Sequence, residues 1–328
     1  MKPENPERIL IVSTNWIGDA IMSMPAVQLF RRAHPEAELT VLARPLIRAL
    51  WAMHPAVDRL ETMGKPQPTV QSLKPAHFDR AYIFPNSFRS AFIPFLAGVP
   101  RRIGARGHWR RLMLTETVRL PDGHQQFEYL KILGVQGEPP APQLAVPEES
   151  FNSLNNRLAA AGFRPACRTV ITLLPGAARG PSKRWPAEHF IVLAKRLRAE
   201  LGAQILLGGG PDDAAVCAEI AAAVGPEAIS LAGQTTVAEW AALLKMSQCV
   251  VSNDSGGMHL AMAVGTPVAA IFGITDSRKT GPLGRSVVLQ KSAVQSRDIA
   301  RDSEAARRAL EAVTPDEVFA AVTGLLNG

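Results

Sequence analysis

Apolar and polar positions along the chain fall into two alternating patterns. Short β-rich apolar runs, ILIVS (9–13), ELTVLAR (38–44) and RAYIFP (80–85), are separated by stretches of helical character. The first run leads into a loop, TNWIGD, and then a helical stretch to about Ala33. Pro25 within that stretch predicts a helix that starts late or kinks. The run SFRSAFIPFLAGV reads as a buried helix. A segment rich in Pro and acid, GEPPAPQLAVPEES (137–150), then reads as a linker. Beyond it the alternation restarts. RTVITLLPG (168–176), QILLGGG (204–210), ISLAG, CVVSND (249–254) and PVAAIFG (267–273) read as strands. Between them, AEHFIVLAKRLRAEL (187–201) places Phe190, Leu193, Ala194 and Leu197 on one helical face.

Strand–helix alternation at this spacing predicts an α/β chain with parallel sheets covered on both faces. Two doubly wound, Rossmann-like units follow, residues 1–150 and 151–328, with a cleft expected between them. Ligands of open α/β sheets bind at the carboxyl ends of the strands. The unusual residues of this chain collect there: Asp19, Gly176, Gly208 to Gly210, and Asp254 to Gly257.

Composition narrows the picture. Hydrophobic residues make up 47% of the 328 and charged residues 20%, which excludes wholesale disorder. The longest apolar candidate for a membrane span, Leu260 to Ile274, is broken by Gly265, Thr266, Pro267 and Gly273. The polar N-terminus lacks the apolar core of a secretory signal, so a cytoplasmic location is the expectation. Cys167, Cys217 and Cys249 are scattered and odd in number, which reads as reduced thiols. The seven histidines show no zinc-ligand spacing. A net charge of +7 favours anionic partners. Five arginines between Arg101 and Arg111, with no acid among them, form either a solvated basic surface or an anion-binding one.

The chemistry-bearing loops follow from this. The first loop has one glycine, and Gly208-Gly209-Gly210 lacks the third glycine of a dinucleotide fingerprint, since Asp213 stands there. No P-loop is present. Asp19, just after the first strand, fits an acid in a first helical turn and equally a carboxylate placed to accept a proton. The stretch PGAARGPSKRWP (175–186) runs from a strand into a small-residue loop, two cations and a helix start, as diphosphate binding requires. NDSGGMH (253–259) follows a strand and opens a helix. Asp254 or Ser255 could cap that helix, and Gly256 and Gly257 also suit close approach of a phosphate. His259 by itself reads as a packed helix residue.

Together NWIGDAIMSMPA (15–26), PNSFRSAFIPFLAGVPRRIG (85–104), PGAARGPSKRWP and NDSGGMH resemble the lipopolysaccharide heptosyltransferases. The PNSF and K-R-W-P elements are most similar to the branch that adds the second heptose. The resemblance implies a GT-B fold, with acceptor on the N-terminal domain and nucleotide sugar on the C-terminal one. It allows the last helix to pack back on the first domain. It implies inverting transfer from ADP-L-glycero-β-D-manno-heptose to the inner core on lipid A–Kdo, with Asp19 as the base. Lys183 would contact donor phosphate with Arg184 beside it, and Gly176, Ala177, Asp254, Ser255, Gly256, Gly257 and His259 would complete the donor site. An acid after the glycine turn would hold the ribose, Asp212 in preference to Asp213. Asn86, Ser87, Arg89 and arginines of the basic cluster, Arg106 among them, are expected to hold the anionic acceptor. No cofactor and no obligatory metal are expected, because no D-x-D-like element is present. With 5 Trp and 2 Tyr, the chain lacks the aromatic platform of a nucleic-acid binder. Peripheral contact with the inner membrane surface is compatible with such an acceptor. The alternatives are a first-heptose or other core-sugar transferase and, from a different class, a non-catalytic nucleotide-binding protein.

Overall fold

The apolar run at the start of the chain forms β1 (Arg8–Val12), with Ile9 to Val12 wholly buried. In the computed structural model, residues 6–107, 109–163, 169–293, 300 and 302–328 are described. Their chain divides into two compact units, Met1–Ala145 and Val146–Gly328.

In the first unit, α1 (Ile17–Ala33) follows β1, then β2 (Glu38–Ala43), α2 (Pro45–Trp51), β3 (Arg59–Thr62), α3 (Pro66–Leu73) and β4 (Arg80–Ile83). The series continues with α4 (Phe88–Leu96), β5 (Arg101–Ala105), β6 (Glu116–Val118) and α5 (Gln126–Leu133). The strands form one parallel sheet in the order β3-β2-β1-β4-β5-β6. The order reverses beside β1, so the start of α1, whose first turn carries Asp19, lies at the topological switch point.

The second unit opens with α6 (Glu148–Ala160) and β7 (Val170–Leu174), then α7 (Ala187–Leu201), β8 (Gln204–Leu207), α8 (Ala214–Val224) and β9 (Ala228–Ser230). It continues through α9 (Val237–Lys245), β10 (Cys249–Asn253), α10 (Gly256–Ala263), β11 (Val268–Phe272), α11 (Ser277–Thr280) and β12 (Ser286–Gln290). It closes with α12 (Glu304–Glu311) and α13 (Pro315–Asn327). The sheet is again parallel, in the order β12-β11-β10-β7-β8-β9. Helix α13 lies against α7 and the β10–β12 side of this sheet. Phe190, Leu193, Ala194 and Leu197 of α7 are fully buried, as their spacing predicts. Burying each of the larger ones contributes about 1.5–3 kcal/mol.

Four strands are not among those read from the sequence. β3, β6 and β12 are sheet edges, where one side has no neighbouring strand and polar residues are tolerated, and β5 opens with two arginines. Two expectations need correction. Helix α1 does not start late: it begins at Ile17, within the stretch TNWIGD (14–19) read as a loop, and Pro25 lies inside it. Pro25 has no N–H for the Ile21 carbonyl, yet residues 20–28 are all buried, and that packing holds the helix through the missing bond. The run around α4 is helical but not buried throughout. Ser90, Ala91, Ile93 and Pro94 face the core, while Phe88, Phe95 and Leu96 stay exposed. Cys167 lies outside the described residues.

Candidate active site

The first unit gathers its polar groups at the carboxyl edge of its sheet. Trp16 is the extended residue before α1, and Asp19 falls in the first helical turn, half-buried. Helix α5 packs against α1. Gln125, buried at the start of α5, donates through Nε2 to Asp19 Oδ1 at 3.2 Å and to Tyr129 Oη at 2.6 Å. Nothing in the local sequence pairs Asp19 with Gln125, and only the packing of α1 on α5 brings them together.

The loop after β4 carries Asn86 and Ser87, and Arg89 lies in the first turn of α4. Ser87 caps α4 by accepting from the Ser90 N–H at 3.2 Å. Arg89 donates to the Gly64 carbonyl at 2.5 Å. Asn86 Oδ1 accepts from Arg110 Nη2 at 2.7 Å. Arg110 is fully buried and also donates to the carbonyls of Pro85 and Ala105. Burial pushes its pKa down, and it is held by carbonyl and amide oxygens. Gly104 packs tightly against the neighbouring strand, since a Cβ there would stand 3.1 Å from the Ile83 carbonyl. The basic cluster is therefore not uniform. Arg101 pairs with Glu116 at 2.7 Å, and Arg102 folds onto the Met113 carbonyl at 2.6 Å. Arg106 and Arg111 are exposed.

In the second unit, three loops at the carboxyl edge are fastened to one another. Asn253, fully buried at the end of β10, donates through Nδ2 to the Pro175 carbonyl at 2.7 Å and accepts from the Trp185 N–H at 3.0 Å. It thus clamps both ends of the loop after β7. The Trp185 indole donates to the Val313 carbonyl at 2.8 Å, anchoring that loop to the turn before α13. Lys183 forms an ion pair with Asp254, whose carboxylate also accepts from Thr275 Oγ1 at 2.8 Å. Asp254 is only 8% exposed, so the pair is largely withdrawn from water.

Asp213 has a structural assignment. Its Oδ2 accepts from the Gly210 N–H at 3.0 Å, and Arg184 approaches Oδ1 at 3.4 Å. A Cβ on Gly176 would lie 2.0 Å from the Asp213 carboxyl carbon, so the carboxylate occupies the space any side chain at 176 would need. Arg184 also donates to the buried Ala177 carbonyl at 3.3 Å. Asp212, by contrast, is exposed.

Ser255 is extended and precedes α10, but its side chain does not cap the helix. The first amides of an α-helix have no partner within it, and they form its positive end. At α10 these come from Gly256, Gly257 and Met258. Gly257 must be glycine: an added Cβ would meet Leu174 at 2.6 Å and Trp240 at 2.9 Å. His259 is buried on the same helix. A cation, a helix N-terminus and small residues beside bare amides suit a polyphosphate. Cys217 and Cys249 take no part, because burial pushes both thiols up to about 12 and keeps them protonated.

Comparison with known proteins adds to this geometry. The sequence profile of glycosyltransferase family 9 (heptosyltransferase) matches residues 68–306. The chain is 31% identical to lipopolysaccharide heptosyltransferase 2 of Escherichia coli K12, across 97% of this chain and 98% of that protein. It is 30% identical to lipooligosaccharide heptosyltransferase 2 of Haemophilus ducreyi, across 97% and 99%. Among solved structures, that of the E. coli ADP-heptose lipopolysaccharide heptosyltransferase II superposes with a TM-score of 0.87 at 29% identity, covering 98% of each chain. The E. coli heptosyltransferase WaaC with ADP shares the fold, with a TM-score of 0.74 at 19% identity over 97% of this chain and 99% of that one.

Proposed function

The chain belongs to glycosyltransferase family 9, the heptosyltransferases, and from that premise we propose that it moves L-glycero-D-manno-heptose from ADP-heptose onto the first heptose of the lipopolysaccharide inner core. The observation that carries the reading is the clamped loop after β7. There Asn253 and the Lys183–Asp254 pair fix a cation beside the N-terminus of α10, where a diphosphate would be held.

The chemistry is a single displacement with inversion. Asp19 takes the proton of an acceptor hydroxyl as that oxygen attacks the anomeric carbon, and the sugar passes through a state of oxocarbenium character. The bond to ADP breaks, and negative charge gathers on its phosphates. Lys183 and the amides of Gly256 and Gly257 stabilise that charge. Preorganised donors of this kind are worth about 3 kcal/mol each. Gly176, Ala177 and Arg184 shape the donor loop, Ser255 and His259 flank the phosphate position, and exposed Asp212 is the acid left to reach the ribose. No cofactor or obligatory metal is part of this reading. On the first unit, Asn86, Ser87, Arg89 and Arg106 hold the anionic acceptor, arginine being suited to carboxylates and phosphates alike. Among the described residues no helix is long and apolar enough to cross a membrane. The protein would work in the cytoplasm and reach its lipid-anchored acceptor by peripheral contact.

The test is direct. Purified protein is given ADP-heptose with acceptors ending either in Kdo or in a single heptose on Kdo, and ADP release is measured. Turnover on the heptose-terminated acceptor alone is expected. Turnover on the Kdo-terminated one alone would make it a first-heptose transferase, and none on either would overturn the reading.

A further inference from the structure

Large apolar side chains rarely stand in water beside a set of arginines without a partner. One corner of the first unit has this arrangement. Trp109 is 93% exposed and Leu112 88% exposed, in the turn that follows β5. Trp109 has a left-handed backbone, φ 59°, which a bulky residue adopts only where its surroundings fix it. The next residue supplies that fixation, because the buried Arg110 is bound to Pro85, Asn86 and Ala105.

The same fastening joins this turn to both ends of α4. Pro85 and Asn86 lead into the helix. At its far end, Arg102 lies over the Phe95 ring at 5.3 Å while donating to the Met113 carbonyl. Phe88, Phe92 and Phe95 recur at helical spacing along one stripe of α4, and Phe88 stacks on Phe92 at 5.7 Å. Phe88 and Phe95 are exposed. Exposed cations neighbour these residues in the chain: Arg89 follows Phe88, and Arg106 and Arg111 bracket Trp109, Arg111 being next to Leu112. The ridge starts at Phe88, beside the carboxyl end of β4, and runs along α4 to Phe95, beside the start of β5.

We infer that this corner is a membrane-docking wedge: Trp109 and Leu112 enter the interfacial layer of an anionic phospholipid bilayer, Phe88 and Phe95 rest on it, and Arg111, which the acceptor does not use, binds its phosphates while the neighbouring arginines add long-range attraction. A tryptophan and a leucine at the tip supply the apolar depth of interfacial binding, and the cations supply attraction to anionic lipid. The charge argues for a bilayer over a second copy of this chain, whose ridge would bring the same cations face to face. The inference specifies the membrane contact named above, but it concerns attachment and not transfer.

The experiment uses the full chain with no donor or acceptor. Vesicles of roughly three parts phosphatidylethanolamine to one part phosphatidylglycerol are compared with phosphatidylcholine vesicles by co-sedimentation. Partition onto the anionic vesicles is expected to be at least about tenfold greater. The double variant Trp109→Ala, Leu112→Ala should lose about tenfold of that binding, while its melting temperature and its turnover on a deacylated, soluble acceptor stay unchanged. Trp109→Leu should keep binding but lose quenching by brominated lipid. Equal partition onto both vesicles, or unchanged binding by the double variant, overturns the inference. So does concentration-dependent self-association, abolished by the double variant, in a protein that ignores lipid. Asp19→Asn should bind vesicles like the wild type, so failure of the transfer chemistry and failure of docking appear in separate assays.

Discussion

Asp19 contacts Gln125 and Lys183 contacts Asp254, each far away in sequence, and those contacts bear on what substitutions should do. Asn at position 19 keeps the shape and the contact with Gln125 but cannot accept the proton. Turnover of Asp19→Asn is expected to fall by about 10²–10⁴-fold, while ADP affinity, read by calorimetric titration, stays near that of the wild type. Lys183 has two duties. Removing it strips donor phosphate of a cation and also leaves the carboxylate of Asp254 buried without a counter-charge. Breaking a buried pair from one side costs about 3–5 kcal/mol, so Lys183→Ala should melt well below the wild type. The double variant Lys183→Ala, Asp254→Asn should regain much of that stability and none of the transfer rate. Recovery of both would deny Lys183 a role in transfer.

At the scale of elements, acid should loosen the two units in different pH windows. In the second unit, Glu239 joins α9 to α6. Burial alone would raise its pKa, but hydrogen bonds from Ser153, from the N–H and hydroxyl of Thr236 and from Arg157 outweigh that and bring it to about 2. Its folded value lies below its unfolded value near 4.5. It therefore stabilises fully above that value, and the contribution disappears as pH falls toward about 2. In the first unit, burial lowers His54 from 6.5 to about 4. The unfolded chain then binds the extra proton first, and stability declines as pH falls from 6.5 toward about 4. Each shift corresponds to about 3 kcal/mol. Urea denaturation across pH should show His54→Gln flattening the upper window and Glu239→Gln the lower one. A profile unchanged in both variants would refute the assignment.

For the molecule as a whole, a net charge of +7 is expressed mainly through cations that remain in water. Arg106 and Arg111 are exposed, whereas the Lys183 side chain is only 13% exposed. Raising salt from about 50 to 300 mM shortens the screening length from roughly 14 to 6 Å. The acceptor KM should accordingly rise several-fold while the donor KM changes little. Steady-state kinetics at both salt concentrations check this, and equal sensitivity of the two would remove the exposed arginines from acceptor capture.

Much of this architecture was legible in the chain itself. Apolar runs such as ILIVS and CVVSND are strands whichever partner they find, because burial on both faces of a parallel sheet demands continuous hydrophobicity. The spacing of Phe190 to Leu197 fixes α7 for an equally local reason. The loops that carry the candidate chemistry were readable as well, since they occupy the ends of those strands. Edge strands such as β3 and β6 were not, because hydrogen bonds to one neighbour define them and their side chains need no apolar pattern. Nor could the pattern show that Arg110 is a buried strut while Arg106, four residues away, is open to water. The bond between Asp19 and Gln125 spans 106 residues and the pair of Lys183 with Asp254 spans 71. Such contacts depend on which helices and loops the sheets bring side by side, and only the folded chain decides that.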